Sequence, residues 1–596
     1  MHQPQFRLLH GIVHLFHDLR GLFVFIGVVG ILGVAGHMQY FAQADAAHPL
    51  TEGTWADAVF RTIQLFVLGA GYPPGPKPVL LELARFVAPL ALLWAALATV
   101  SRALGEHTRL ANAQRHSIVV GVGLRGMEQV RHRRDARDSL VVVIETDPSN
   151  EWLAVCRKLG AIVLEGDGTQ AEMLRLARVD YAARVYFTTH DDAANLDGAL
   201  QAVRLWQERP RHPGAITIAA SVTDPLLRDV PERIHVPGTP RVQTLNRWAD
   251  TARRLLDEHP LDHRPIRPES AERVHLIVIG FGFMARELVL QALHQGSYAN
   301  GKPLHVTVVD PDAGKETSFR ARFPSLDDIA VVRFWQGSME DPDIRTRLEA
   351  EVAEPNTIPT VAICEESRAE TLTQLHLLPA SLQDPAIPIL VEFSGDPQLV
   401  NPSTGVHPFR IDRDDSRVAE RIDRLACAHH WHYLMHRATD PNRSSDPDDP
   451  ALRSWDELPE RYRWSNRHLA DHTPVKLRAI GCTLVDADAN AAPSAALTEA
   501  EVERLAHMEH QRWVNERRLS GWQLDDEGSP NARSSPHLGP YDELPATIQE
   551  YDRRIIRDLP NILAKADPSA RIVRNPIDPE GGAPQSSEPQ NAGSEM

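Results

Sequence analysis

The chain has 596 residues, room for about four domains of ordinary size, and a formal net charge of −17 at pH 7. That charge argues against a nucleic-acid partner, because gripping a phosphate backbone takes clustered Lys and Arg. Its four cysteines, Cys156, Cys364, Cys427 and Cys482, are far apart with no CxxC spacing, which excludes a disulfide framework and suits small core residues in a reducing compartment.

After an N-terminal segment (residues 1–20), residues 21–40 (GLFVFIGVVGILGVAGHMQY) carry no formal charge and are long enough to cross about 30 Å of hydrocarbon as a helix. Residues 79–101 form a second candidate span, apolar but for Thr99 from 86 to 100, with Glu82 and Arg85 placed to pair at the membrane surface and Pro89 a point for a kink. Arg7, Arg20, Arg102, Arg109 and Arg115 lie on one side of these spans, against Arg61 and Lys77 on the other. The positive-inside rule therefore puts both termini in the cytoplasm of a protein in the cell's inner or plasma membrane. The FAQAD run (residues 41–45) leaves open a signal-peptide reading, since it supplies an A-x-A site after an apolar run.

Between the spans, WADAVFRTIQLFVLG (residues 55–69) suits a short helix and leads into Gly69-Ala70-Gly71-Tyr72 and two prolines. The whole module, residues 21–104 with its loop at 55–76, resembles the two-helix potassium channels. That resemblance implies that Gly69, Ala70, Gly71 and Tyr72 line a pore with their backbone carbonyls, the glycines supplying unusual backbone angles. Arg61 on the short helix, the missing threonine and the missing Gly-Asp after Tyr72 depart from the pattern and imply weak selectivity. An external loop lying on the membrane is the alternative.

Residues 115–257 then alternate strand-like and helix-like runs, the pattern of an α/β Rossmann-like domain with a parallel sheet. The run HSIVVGVGLRG gives Gly121-x-Gly123-x-x-Gly126 directly after a strand, which lets a pyrophosphate approach a helix N-terminus. SLVVVIETD ends a second strand at Glu145, nineteen residues beyond Gly126, where an acidic residue holds ribose hydroxyls. With EGDGT (residues 165–169) and TTHDDAAN (residues 188–195), the series resembles the RCK, or TrkA-N, domain that regulates potassium channels and uptake systems. The resemblance implies a nucleotide ligand, with Asp167 and Thr189 as outer contacts. A fold that uses its glycines only for packing is the alternative.

Residues 272–411 repeat the pattern more loosely, with Gly280-x-Gly282-x-x-Ala285 and an acidic Asp310 twenty-five residues beyond Ala285. Ligand site and empty structural copy both remain open for this unit. A dehydrogenase is the enzyme these glycines invite, but each unit ends after about five strands with no substrate domain, so no catalytic residues and no enzymic turnover are expected.

Residues 412–565 are helical and internally duplicated: His430-x-x-Tyr433-x-x-x-Arg437 precedes WDELP, and His510-x-x-Trp513-x-x-x-Arg517 precedes YDELP. The second copy resembles the RyR domain, a helical repeat named from ryanodine receptors, through Trp513, Gly521, Trp522, His537 and Tyr541. His510, Trp513 and Arg517 share a helix face that either packs internally or lines a ligand pocket, where Trp513 or Trp522 stacks on a planar group and Arg517 holds an anion. The run AHHWHYLMH (residues 428–436) has no cysteine or carboxylate at ligand spacing, so no metal is expected. Residues 566–596 read as a disordered tail.

The expectation is a two-span α-helical membrane module with a re-entrant pore-like loop, two Rossmann-like domains and a RyR-like repeat pair. Its work would be transport of a monovalent cation, potassium first, by a homotetramer regulated by NAD(H) or another adenine nucleotide. A non-conducting membrane-anchored sensor that recruits a partner is the rival.

Overall fold

A computed structural model describes residues 20–44, 52–69, 71–72, 76–135, 140–208, 216–228, 230–236, 238–400, 405–411, 416–439, 449–486, 494–525 and 533–575. The chain divides into two compact units, residues 1–185 with 204–216 and residues 186–203 with 217–596.

In the first unit, α1 (Arg20–Ala44), α2 (Glu52–Phe66) and α3 (Val79–Ala111) pack around Val29, Leu65, Leu81, Ala84 and Ala88. Glycine permits the close approach: a methyl on Gly33 would lie 2.5 Å from Thr62, and one on Gly36 would lie 2.6 Å from the Leu81 backbone. The outward faces stay apolar, with Ile31, Phe60, Ile63, Val67 and Phe86 all more than 60 % exposed. Exposed apolar surface of this extent marks a face that meets either a membrane or another protein. Among the described residues one helix, Val24–Gln43, is long and apolar enough to cross a membrane. The other expected span falls on α3, whose side chains from residue 94 to 107 lie outside the described residues. The helix itself continues through Pro89 to Ala111, so this apolar segment and the link to the α/β domain are one piece.

Polar groups fasten the loop to the helices. His37 Nδ1 lies 2.8 Å from Gly33 O and 3.0 Å from Thr62 Oγ1, so Nδ1 carries the proton, and Nε2 accepts from the Tyr72 hydroxyl at 2.5 Å. The expected glycine angles are not there. Among the described residues of the loop, Leu68 is left-handed (φ 57°), while Gly71 has no such backbone and nothing within 4 Å of an added Cβ. Gly69 N–H closes the end of α2 on Gln64 O at 2.9 Å. Ala70 lies outside the described residues.

The same unit holds β1 (Ser117–Val120), β2 (Val141–Glu145) and β3 (Ile162–Glu165), parallel in the order β3-β2-β1. β4 (Arg184–Phe187) starts beside β1, where Ala183 N–H donates to His116 O. β1 is buried along its whole length and β2 through Ile144, as valine-rich runs covered on both sheet faces must be.

The second unit contains β5 (Thr217–Ser221) and β6 (Val242–Leu245), paired in parallel, then α5 (Arg247–Glu258). A second parallel sheet follows: β7 (Arg273–Ile279), β8 (His305–Asp310), β9 (Val331–Gln336), β10 (Thr357–Ile363), β11 (Ile389–Glu392) and β12 (Val406–Phe409). Its order, β9-β8-β7-β10-β11-β12, reverses between β7 and β10, which makes the crevice beside the β7 loop. Six strands stand where about five were expected, because short β11 and β12 extend the sheet at one edge.

The repeat region is built on α7 (Ser416–Thr439), α8 (Glu460–Asp471), α9 (Glu499–Leu519) and α10 (Ala546–Arg557), with α6 (Phe283–Gln295) of the second sheet beneath. One apolar cluster runs from Leu276 and Val278 of β7 through Leu288 and Ala292 of α6 to Leu505 and Met508 of α9 and Ile556 of α10. Buried ion pairs join the same parts: Arg253 of α5 grips Asp471 of α8 at 2.8 and 3.0 Å, and Gln291 of α6 donates to the same carboxylate at 2.8 Å. The expected tail is corrected at its start. Ala570–Arg574 form β14, antiparallel to β13 (Cys482–Asp486), because Ile572 is buried and Arg574 is anchored to Glu501 at 2.7 Å. Residues 576–596 lie outside the described residues.

Candidate functional site

The first glycine loop is short and open. Gly121 adopts φ 82° and donates to Ile144 O at 2.9 Å, a turn that a side chain would strain. Gly123 caps α4 (Leu124–Asp135), and nothing lies within 4 Å of a Cβ added to it, while Gly126 is buried on the helix. Glu145 ends β2 against this loop. Its Oε2 accepts from Val122 N–H at 2.8 Å and Asn150 Nδ2 at 3.1 Å, and its Oε1 accepts from Asp147 N–H at 3.1 Å and the Thr146 hydroxyl at 3.2 Å. All four lone-pair positions are engaged, so a ribose hydroxyl would displace the longest, exposed contact, that of Thr146. The EGDGT turn is drawn in beside them: Gly166 N–H donates to Glu145 O at 2.8 Å, and a methyl on Gly168 would lie 2.3 Å from Val120. Asp167 accepts from Thr169 N–H at 2.9 Å, and that bond, the largest cause, lowers its pKa. Gly121, Gly123, Glu145 and Asp167 are thus brought to one sheet edge. In the second unit, Thr189 donates both its N–H and its hydroxyl to Asn195 Oδ1, at 2.9 and 2.7 Å.

The second glycine loop has the same turn with its crevice filled. Gly280 (φ 79°) donates to Val309 O at 2.9 Å, and Ala285 is fully buried in α6, its methyl accommodated where a third glycine is usual. A Cβ on Gly280 would meet the Glu365 carboxyl at 2.8 Å, and one on Gly282 would lie 3.7 Å from Glu366 Oε1. Asp310 is committed internally, accepting from Phe281 N–H at 2.6 Å and Lys315 Nζ at 2.9 Å. Burial is the largest cause raising the pKa of Glu365, and it pushes Glu392, at the end of β11, up to about 7. A pyrophosphate would meet acids where the first loop offers open backbone.

In the repeats, His510 is core. Its Nε2 lies 2.9 Å from Gly539 O and its Nδ1 3.5 Å from Asp552. Trp513 and Arg517 are half-buried and line a cavity, with the Arg517 guanidinium 5.5 Å from the Trp513 ring centroid and 5.0 Å from that of Trp522. The histidine run finds the carboxylate its own window lacks: His432 and His436 Nε2 lie 2.9 and 3.0 Å from Asp558 Oδ2, contributed from beyond α10. These three ligand atoms lie within 4.8 Å of one another and could together hold a metal ion, though each imidazole is already satisfied by the carboxylate.

Residues 117–234 match the family model described as the TrkA-N domain. The chain carries a TrkA-N domain. Residues 494–567, the second of the duplicated copies, match the model described as the RyR domain. No curated protein matches the chain. Among solved structures, the chain is similar to the "GsuK Channel" (14 % identity, TM-score 0.36, covering 66 % of this chain and 96 % of that one). It is also similar to the "GsuK channel bound to NAD" (13 % identity, TM-score 0.35, 68 % and 82 %) and to GsuK bound to ADP (15 % identity, TM-score 0.35, 68 % and 96 %).

The TrkA-N match begins at Ser117, the first residue of β1, so the open glycine loop, Glu145 and the EGDGT turn all belong to the TrkA-N domain. Sequence alone missed the acids over the second loop, although CEES (residues 364–367) directly after a buried strand was the available signal.

Proposed function

We propose that the chain is a membrane-anchored cation-transport protein, potassium first, whose TrkA-N domain senses an adenine dinucleotide, NAD(H), and which works without turnover as a homotetramer. The open backbone at Gly123 beside an acidic strand end carries this reading. Pyrophosphate can approach the N-terminus of α4, and Glu145 suits free ribose hydroxyls while repelling a 2′-phosphate. Asp167 is an outer contact on this reading. The second α/β unit is a structural copy, since Glu365 and Glu366 stand where its phosphates would lie. Ligand preference for one arrangement of the cytoplasmic domains is passed to the membrane by α3, which is a single helix from Val79 to Ala111.

Calorimetry on the detergent-purified chain tests the sensor: NAD binds, NADP binds at least about tenfold more weakly, and Gly123→Val abolishes both. Equal affinity for NADP, or no loss in Gly123→Val, refutes it. Potassium flux into proteoliposomes that changes on adding NAD tests transport, and native mass spectrometry tests the tetramer.

The rival, a non-conducting sensor that recruits a partner, is favoured by the loop after α2. There the left-handed residue is Leu68, and Gly69 N–H is spent closing the helix, an arrangement unlike a run of glycine-supported pore carbonyls. Absence of flux with every nucleotide would select it.

A further inference from the structure

A cavity of about 370 Å³ lies between the two copies of the repeat, within the range of small-molecule sites. Both duplicated triplets face it: His430, Tyr433 and Arg437 from α7, and His510, Trp513 and Arg517 from α9. The next helices contribute at matching positions, Tyr462 and Asn466 following Leu458-Pro459 and Ile548 and Asp552 following Leu544-Pro545. Duplication therefore sets two matching faces on either side of an open cleft.

The two halves are alike in shape and unlike in charge. Arg437 is paired with Asp449 at 3.3 Å, and Arg512 is paired with Glu509 at 2.8 Å and Glu516 at 2.6 Å. Arg517 and Arg554 also line the cavity, and among the described residues neither has a carboxylate within ion-pair distance. The Nε of Arg517 is buried without a hydrogen-bond partner while its guanidinium is held between two indoles. His429 is 3 % exposed, and neither of its ring nitrogens has a partner. Burial, the largest cause, lowers its pKa to about 3, so the ring is neutral and presents one donor and one acceptor. A buried polar ring without a hydrogen-bond partner is costly unless something completes it, and the two half-buried guanidiniums without a carboxylate offer donors to an anion. Trp513, with the His510 ring stacked 5.8 Å away, and Tyr433 put aromatic surface on the cavity wall, which favours a planar group beside an anion held by the arginines.

We propose that this cavity binds a planar ring carrying a phosphate, a molecule of the nucleoside-phosphate class, with Arg517 and Arg554 on the phosphate, Trp513 against the ring and His429 on the ring edge. The site is separate from the TrkA-N loop and uses both copies of the repeat.

The test titrates the detergent-purified full chain carrying Gly123→Val, so that the TrkA-N loop does not contribute, with each of the four ribonucleoside monophosphates, with adenosine and with inorganic phosphate. Tryptophan fluorescence and calorimetry report binding. At least one monophosphate binds, adenosine and phosphate each bind at least about tenfold more weakly, and Arg517→Gln and Arg554→Gln each weaken the monophosphate at least about tenfold. Arg554→Gln guards against misfolding at the tryptophan sandwich, because Arg554 makes no such contact; an unchanged thermal transition accompanies it. Monophosphate affinity unchanged in both variants, or no binding by any of the four, overturns the proposal. The same titration with NAD on the chain without Gly123→Val separates failure of this site from failure of the TrkA-N reading.

Discussion

Gly168→Ala and Gly166→Ala, two residues apart in the EGDGT turn, should differ sharply. A methyl on Gly168 would sit 2.3 Å from Val120 Cγ1, 3.1 Å from Cγ2 and 3.2 Å from Cβ. Val120 is 4 % exposed at the end of β1, and a β-branched side chain with both methyls engaged has no free rotamer to take. A methyl on Gly166 would come as close, 2.1 Å, but to Met173 Cε, the end of an unbranched half-buried thioether that can turn away. Neither glycine has a left-handed φ, so backbone strain does not enter. Overpacking costs about 1–3 kcal/mol, and removing a glycine returns about 0.4–1 kcal/mol through the unfolded chain. Gly168→Ala should therefore cost about 1–2 kcal/mol locally and Gly166→Ala close to nothing. Hydrogen exchange by mass spectrometry on the full chain reads this directly: opening of the β1 end and of the Gly121 to Ile144 bond should become about tenfold more frequent in Gly168→Ala, since about 1.4 kcal/mol is a factor of ten. Equal exchange in the two variants, or faster exchange in Gly166→Ala, would refute the packing argument.

Arg253→Met should destabilise the second unit by about 3–5 kcal/mol, since Asp471, itself buried, keeps only the Gln291 amide; the double change Arg253→Met/Asp471→Leu should recover part of the loss in thermal unfolding. Arg574, bonded at 2.7 and 2.9 Å, is the largest cause holding Glu501 down to about 2, and this lowered value means a stabilisation fully present above the ordinary carboxylate range and lost as pH falls toward 2. Arg574→Ala should accordingly bring loss of protection at the α9 capping box, Thr498 to Glu501, to a higher pH in acid-quench exchange; an unmoved midpoint would show that Arg574 does not set it.

The alternation of strand and helix, the two glycine turns and the repeat duplication were legible because each is local: valine runs, glycine spacing and copied motifs lie within a few residues of one another. What was not legible depends on segments far apart in the chain. Glu365 enters the second glycine crevice only because β10 pairs with β7, and Asp558 reaches His432 from 126 residues away. Residues 570–574 look like tail until β13 offers them an edge and Glu501 a charge. The backbone of Gly71 was misjudged for a different reason: glycine permits left-handed angles without requiring them, and the turn was made at Leu68.

The apolar cluster that runs without interruption from β7 through α6 into α9 and α10 has a consequence for cutting and grafting this protein. A chain ended after Phe409 would bare Leu288 and Ala292, and a repeat pair lifted out by itself would bare Leu505 and Met508. Neither half is a portable cassette. Attempts to transplant the repeats onto another protein must carry the second sheet with them, acids and all, so that sheet would travel as the floor on which its neighbour's pocket is built.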